Sequence, residues 1–255
     1  MPLEIVTIPC LSDNYAFLAH DAASGGTALV DAPEAGPVLD ALTARGWRLS
    51  HVLLTHHHWD HTDALPDILA AQPAKVIGAA ADAHRLPKLD LAVSGGDRFA
   101  VGGEEVQVLD VPGHTVGHIA YYMPASKAVF TADSLMALGC GRLFEGTPEQ
   151  MWHSLSKLAA LPGSTLVCSG HEYTQSNARF ALTIEPDNEA LQNRAAAIDA
   201  ARRKGEPTVP SLLQLEKDTN PFLRAGEASV KQAIGMEGLA DSAVFAEIRR
   251  RKDNF

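Results

Sequence analysis

The strongest chemical signal in the sequence is the segment THHHWDH, which begins at the end of a predicted buried strand, His51–Thr55. In an extended backbone alternate side chains lie on the same side, so His56, His58 and Asp60 share one side. His61 can turn toward that side if it lies at the start of the following helix. Imidazole and carboxylate groups suit zinc, iron or manganese. Taken alone, the segment could also be a histidine-rich loop in solvent.

Three further potential ligands each follow a predicted strand. His114 lies in PGHTVGH, Asp133 in TADS and His171 in SGHE. None of these sites is convincing alone, because a single histidine at a strand end often has a structural role. Together with the first segment they supply five histidines and two aspartates, more than one tetrahedral zinc ion can use. Seven such ligands suit two metal ions that share a carboxylate.

Alternating apolar runs and helical patterns predict the elements that position these residues. The predicted strands are Thr27–Asp31, His51–Thr55, Lys75–Ala79, Val106–Val111, Ile119–Met123, Ala128–Ala132 and Thr165–Ser169. Turns with Gly and Pro separate the strands after residue 100, which indicates antiparallel pairing there. The predicted helices carry Val38 to Leu42, Leu65 to Leu69, Met151 to Leu158, Asn188–Lys204, Ala228–Ile234 and Ser242–Arg251. The pattern predicts an α/β body followed by a helical region from residue 173.

Composition excludes several functional classes. The net charge of −10 disfavours a nucleic-acid partner, since such a chain repels a phosphate backbone. No apolar run reaches the roughly 18–20 residues of a membrane span, and the first residues do not resemble a signal peptide. Three scattered cysteines, Cys10, Cys140 and Cys168, do not form a disulfide framework. We therefore expect a cytoplasmic protein without a membrane partner.

These motifs resemble the metallo-β-lactamase superfamily and, within it, the glyoxalase II (hydroxyacylglutathione hydrolase) family. THHHWDH is typical of the superfamily, whereas GCGRLFEGT, GHEYT and RRRKDNF are typical of the family. The resemblance implies an α/β fold in which residues 1–172 form a four-layer αββα catalytic sandwich and residues 173–255 a helical substrate-binding domain. It also implies a monomer that holds two divalent metal ions, zinc being favoured over iron or manganese.

The resemblance assigns a role to each ligand. His56, His58 and His114 would hold one metal, whereas Asp60, His61 and His171 would hold the other. Asp133 would bridge the two. The implied reaction is hydrolysis of S-D-lactoylglutathione to D-lactate and glutathione, in methylglyoxal detoxification, by attack of a metal-bridging hydroxide. Metal coordination can lower the pKa of water from about 15.7 to about 7. Asp60 and Asp133 would be the catalytic residues, with Asp60 orienting the hydroxide.

The substrate's glutathione half carries two carboxylates, so its site needs cations beyond the metals. The family's glutathione-binding positions correspond here to Arg142, Phe144, His171, Tyr173, Arg249 and Lys252. The alternative for the basic run at residues 249–252 is a solvated chain end. Cys140 is expected to be a packed turn residue rather than a nucleophile, and His118 is expected to support a ligand.

Several positions depart from the family pattern. Asp63 and Ala64 replace two glycines, Ala132 replaces the glycine before the bridging aspartate, and Phe144 replaces a tyrosine. Arg142 stands where lysine is common. The alternative functions are a glutathione persulfide dioxygenase with a single iron, a β-lactamase, and a catalytically silent metal- or glutathione-binding module.

Overall fold

The structure is a computed structural model that describes residues 2–255. Two compact units can be distinguished within it. The first consists of the described residues up to Asp110 together with Gly117–Ala132. The second consists of Val111–Val116 together with Asp133–Phe255. Both units contain strands and helices.

A six-stranded mixed sheet forms the larger part of the first unit, with its strands in the order β1 to β6. These strands are Glu4–Cys10, Asn14–His20, Thr27–Val30, His51–Leu53, Lys75–Ala79 and Leu91–Val93. The first three pair antiparallel, and β3 to β6 pair parallel. Parallel neighbours on both sides explain why β4 has an almost wholly apolar sequence.

Three helices connect strands of this sheet: α1 at Ala35–Arg45, α2 at Trp59–Thr62 and α3 at Leu65–Ala71. Helix α1 buries Val38 and Leu42 and ends at Gly46, which has a left-handed backbone conformation with φ of 67°. The helix predicted through Leu65 corresponds to α3. The short helix α2, which precedes it, was not predicted as a separate element.

Four antiparallel strands complete the first unit. They are β7 at Arg98–Val101, β8 at Glu104–Asp110, β9 at Ile119–Met123 and β10 at Ala128–Ala132. The buried Tyr121 hydroxyl of β9 donates to the Leu54 carbonyl at 2.8 Å. The rings of Phe17 and Phe130 also meet edge to face, with centroids 5.6 Å apart. These strands therefore pack their apolar side chains against the six-stranded sheet.

The second unit contains two short strand pairs and six helices. Its strands are β11 at Leu135–Met136, β12 at Gly139–Cys140, β13 at Leu166–Ser169 and β14 at Ser211–Leu212. Its helices, α4 to α9, are Pro148–Ala159, Thr174–Ile184, Glu189–Arg203, Leu213–Thr219, Ala228–Ile234 and Asp241–Asp253. The side chains of Phe180, Phe222 and Phe245 are buried in this unit, with ring centroids 5.8–6.0 Å apart.

Most predicted elements are present. Strands β5, β9 and β10 have the predicted bounds, and α6 differs because Asn188 caps the helix, its side chain accepting from Leu191. Strand β4 ends at Leu53 rather than Thr55, since the Thr55 amide donates to the Asp31 carboxylate instead of to a strand. The strands that were not predicted are β1, β2, β6, β7, β11, β12 and β14. Within the described residues, no helix is both long and apolar enough to cross a bilayer.

Candidate metal centre

The first unit brings together the four ligands predicted from THHHWDH. His56 and His58 lie in the loop after β4, and Asp60 and His61 lie in α2. Nε2 of His56 is 3.2 Å from Nδ1 of His58, and Nε2 of His61 is 3.8 Å from Oδ2 of Asp60. All four side chains belong to groups of histidines and carboxylates that could hold a metal ion. The predicted alternation agrees with the closeness of His56 and His58, but Asp60 lies in α2 rather than in an extended segment, so the helical turn places it beside His61.

The remaining residues of this segment have other contacts. Nδ1 of His57 lies 3.2 Å from Oδ2 of Asp82, and the Trp59 side chain is exposed. His118 is buried and its ring stacks on that of His56, with centroids 4.6 Å apart. The expectation that His118 supports a ligand agrees with this contact.

Asp31 orients two of these ligands and was not identified from the sequence. Its Oδ2 accepts from Nδ1 of His61 at 2.8 Å and from the Thr55 hydroxyl at 2.9 Å. The Thr55 oxygen in turn lies 3.0 Å from Nδ1 of His56. Because a carboxylate only accepts, the proton of His61 lies on Nδ1, which leaves its Nε2 as the nitrogen available to a metal. The position of Asp31, at the end of the predicted strand TALVD, was the available signal.

Asn14 holds the carboxylate of Asp60. Its amide donates to the Asp60 carbonyl at 3.1 Å and to Oδ2 of Asp60 at 3.2 Å. Asn14 is the first residue of β2. These hydrogen bonds restrict how the carboxylate can rotate.

The second unit brings together the other three predicted ligands. Asp133 follows β10, and its two oxygens face different histidines. Oδ2 lies 3.4 Å from Nε2 of His114, and Oδ1 lies 3.3 Å from Nε2 of His171. All three side chains are buried and belong to groups that could hold a metal ion. The Asp133 carboxylate thus lies between two histidines, with one oxygen facing each.

The spacing of these donors fits metal ligands. Two atoms bound to one tetrahedral zinc at about 2.0–2.1 Å are about 3.3 Å apart. The His56–His58, His114–Asp133 and His171–Asp133 separations are 3.2, 3.4 and 3.3 Å. In addition, Nδ1 of His114 donates to the Arg142 carbonyl at 2.7 Å, which leaves its Nε2 available to a metal.

The backbone around Asp133 is tightly constrained. A Cβ on Gly141 would lie 1.9 Å from the Asp133 carbonyl oxygen, so only glycine fits there. Ala132 has a φ of 40°, in the left-handed region that favours glycine. This position departs from the family pattern, and alanine there costs roughly 1–2 kcal/mol of backbone strain. By contrast, Asp63 and Ala64 have ordinary negative φ values, so no glycine is required at these two departures.

Two exposed aromatic side chains contact ligand histidines in the second unit. Tyr173 stacks on His171 with ring centroids 4.7 Å apart, and Phe144 meets His114 edge to face at 5.3 Å. Phe144 is 62% exposed, and Tyr173 is exposed as well. Both rings are thus available to a substrate beside the ligands.

The cations predicted to bind substrate have different environments. The Arg142 side chain is exposed, whereas Arg249 is buried and its Nη1 donates to the Cys140 carbonyl at 3.0 Å. Nζ of Lys252 lies 5.3 Å from the Phe180 ring centroid and 5.2 Å from that of Phe255. Burial, and then Arg249, lowers the pKa of Lys252 to about 8.

Cys140 lies buried in β12, as expected for a packed residue. Its burial raises the pKa of the thiol to about 11, which keeps it protonated at neutral pH. A protonated thiol is a poor nucleophile, so the geometry gives Cys140 no catalytic use.

Comparison with known proteins assigns the chain to a family. The metallo-β-lactamase superfamily model matches residues 14–171, and the model of the hydroxyacylglutathione hydrolase C-terminus matches residues 172–255. A hydroxyacylglutathione hydrolase of Ruegeria pomeroyi is 70% identical over 255 residues, which are 100% of both chains. The chain belongs to the hydroxyacylglutathione hydrolase family. The predicted family is therefore confirmed, and the dioxygenase alternative is not favoured.

Solved structures support the fold. ETHE1 from Myxococcus xanthus is 27% identical, covers 99% of this chain and 98% of its own, and has a TM-score of 0.64. TTHA1623 in a di-iron-bound form is 29% identical, covers 66% of this chain and 91% of its own, and has a TM-score of 0.56. The metallo-β-lactamase fold with a C-terminal family-specific domain is confirmed. Family membership and the donor set together indicate that the chain binds divalent metal.

Replacing Asp31 should weaken metal binding without removing a ligand. In Asp31→Asn the amide no longer accepts as a carboxylate does, so the His61 tautomer is less well fixed. We expect metal affinity, measured by competition with a chelator, to fall about 10–100-fold. Asp82→Asn is the matched control, because Asp82 contacts the non-ligand His57. Equal affinities in Asp31→Asn and wild type would contradict the assigned role.

Proposed function

We propose that the chain hydrolyses S-D-lactoylglutathione to D-lactate and glutathione, in methylglyoxal detoxification. The single observation that carries this proposal is the Asp133 carboxylate, whose two oxygens face two buried histidines at 3.3 and 3.4 Å. A carboxylate in that arrangement suits a shared ligand of two metal ions. Its family relatives bear the name of this hydrolase.

Seven side chains would hold two divalent ions in this proposal. His56, His58 and His114 would bind the first, Asp60, His61 and His171 would bind the second, and Asp133 would be shared by both. The donor spacing within each unit supports the assignment, as does the relative TTHA1623, which is described in a di-iron-bound form. Imidazole and carboxylate donors favour zinc, with iron and manganese as alternatives.

When bound, the ions would supply Lewis acidity, which lowers the pKa of water and polarises a thioester carbonyl. The chain's own residues orient the reaction. Asp60, fixed by Asn14, accepts a hydrogen bond from the attacking water and directs it at the carbonyl carbon. Water adds to this carbon, the C–S bond breaks, and the sulfur leaves as a thiolate whose conjugate thiol has a pKa of about 8.5. No side-chain nucleophile is needed.

The glutathione half is bound by the second unit. Arg142, Arg249 and Lys252 provide positive charge for the two carboxylates of glutathione, and Tyr173 and His171 contact the peptide. Phe144 offers a ring face but no hydroxyl, so its contact is apolar. The exposure of Arg142, Phe144 and Tyr173 supports this role.

Residues 1–172 form the catalytic part and residues 173–255 the substrate-binding part in this proposal, and the protein acts as a cytoplasmic monomer without a nucleic-acid or membrane partner. The three cysteines are free and buried, which suits a reducing compartment. The net charge of −10 opposes binding to nucleic acid.

The proposed reaction is tested by thiol release from S-D-lactoylglutathione, using protein with measured metal content. We expect turnover in the wild type, and in Asp133→Ala both a lower metal content and loss of turnover. His57→Ala is the control, since His57 belongs to the same motif but contacts Asp82. An inactive, fully metallated wild type would reject the function, and an active Asp133→Ala would reject the bridging role.

The affinity for substrate should depend on pH through Lys252. With a pKa of about 8, Lys252 is charged at pH 7 and neutral at pH 9, so its attraction for a carboxylate is lost as pH rises. Arg249, Asp253 and the Cys140 thiol are the charged or titratable groups that act on it. We expect KM to rise several-fold from pH 7 to 9, in steady-state kinetics.

Lys252→Arg provides the comparison for this effect, because a guanidinium remains protonated throughout that pH range. Its KM should vary less with pH than that of the wild type. The same rise in KM in both proteins would show that Lys252 is not the group responsible.

A further inference from the structure

Asp253 lies among the cations assigned to substrate binding. It is the last residue of α9, and its Oδ1 accepts from Nε and Nη2 of Arg249 at 3.1 and 2.8 Å. The same oxygen lies 3.5 Å from Nε of Arg142. One carboxylate oxygen therefore contacts two arginines that come from different elements of the second unit.

Helix stability does not account for an aspartate at this position. The C-terminal end of a helix carries partial negative charge, so an acidic residue there is unfavourable. The pairing of Arg249 with Asp253 at i,i+4 also places the basic residue first, which is the weaker orientation for a helical ion pair. Asp253 therefore contributes through its contacts with Arg249 and Arg142 and not through the stability of α9.

Arg249 is held from several sides. Its guanidinium lies 5.2 Å from the Phe222 ring centroid, and its Nη1 donates to the Cys140 carbonyl at 3.0 Å. It is only 7% exposed, so removing its carboxylate would leave a buried charge without its anionic partner. Asp253 thus fixes Arg249 against Cys140 of β12, and Cys140 lies two residues before Arg142 in the sequence.

Arg142 is held less firmly. Its side chain is 59% exposed, and its contact with Asp253 is longer than those of Arg249. An exposed arginine without such a contact would sample many rotamers, and ordering it on binding would cost free energy. The longer contact restricts Arg142 while leaving its remaining donors available to a ligand.

We propose that Asp253 is a positioning residue that holds Arg249 and Arg142 together, so that the cationic site for the substrate carboxylates is formed before substrate binds. This inference rests on the proposed function, since it concerns the binding of glutathione. It assigns Asp253 to affinity rather than to the chemical step, because its contacts are with the cations and not with the metal ligands.

The test compares Asp253→Ala, Asp253→Asn and the control Asp241→Asn. Asp241 lies in the same helix and pairs with Lys231 at 2.7 Å, away from the two arginines. The first measurement is steady-state hydrolysis of S-D-lactoylglutathione. The second is calorimetric binding of S-methylglutathione, a thioether that cannot be hydrolysed. Thermal unfolding of each variant is recorded alongside.

In Asp253→Ala we expect KM and the Kd of S-methylglutathione each to rise about ten-fold, which corresponds to a loss of about 1.4 kcal/mol of binding free energy. The kcat should stay within about two-fold of the wild-type value. Asp253→Asn should recover only part of this loss, because its amide oxygen can still accept from the arginines but carries no negative charge. Asp241→Asn should bind and turn over like wild type.

Unchanged or tighter binding by Asp253→Ala would overturn the proposal, as would a fall in kcat with no change in KM. If Asp241→Asn showed the same loss, Asp253 would have only a general effect on α9 and the proposal would also fail. A wild type that neither hydrolyses the thioester nor binds S-methylglutathione would reject the proposed function and this proposal together. A wild type that does both leaves the function intact whatever Asp253→Ala shows.

Discussion

A histidine coordinates a metal well through one ring nitrogen when its other nitrogen keeps the proton and donates it to the protein. Much of the described structure around the candidate site serves this requirement. Asp31 accepts from His61, and the carbonyl of Arg142 accepts from His114. The acceptors come from a strand end and a loop, so the fold itself selects which nitrogen of each ring can face a metal.

This constraint explains where the backbone departs from ordinary geometry. Asp31 directly follows β3 and Ala132 is the last residue of β10, and their φ values are 57° and 40°. Neither residue is glycine, so each conformation is strained and must be maintained by its surroundings. At Asp31 the strained backbone places the carboxylate within hydrogen-bond distance of Thr55 and His61. At Ala132 it precedes the carboxylate that faces two histidines, and the close approach of Gly141 limits how the chain can relax.

The ligands could be predicted from the sequence because their signal is local. Alternation along an extended segment places His56 and His58 together, and residues that follow apolar strands account for Asp133 and His171. Asp60 lies in α2, so the start of that helix places it rather than alternation. Asp31 and Asn14 could not be found in this way, since each contacts a predicted ligand at least 30 residues distant in sequence. Their contacts depend on strand pairing that periodicity does not encode. Strand β2 was also missed: it is buried along its whole length and lacks the alternating pattern.

The most direct measurement is anomalous diffraction at the zinc edge from crystals of the zinc-saturated protein. The account predicts two peaks about 3.5–4 Å apart, both within bonding distance of the Asp133 carboxylate. A single peak, or two peaks neither of which contacts Asp133, would contradict it.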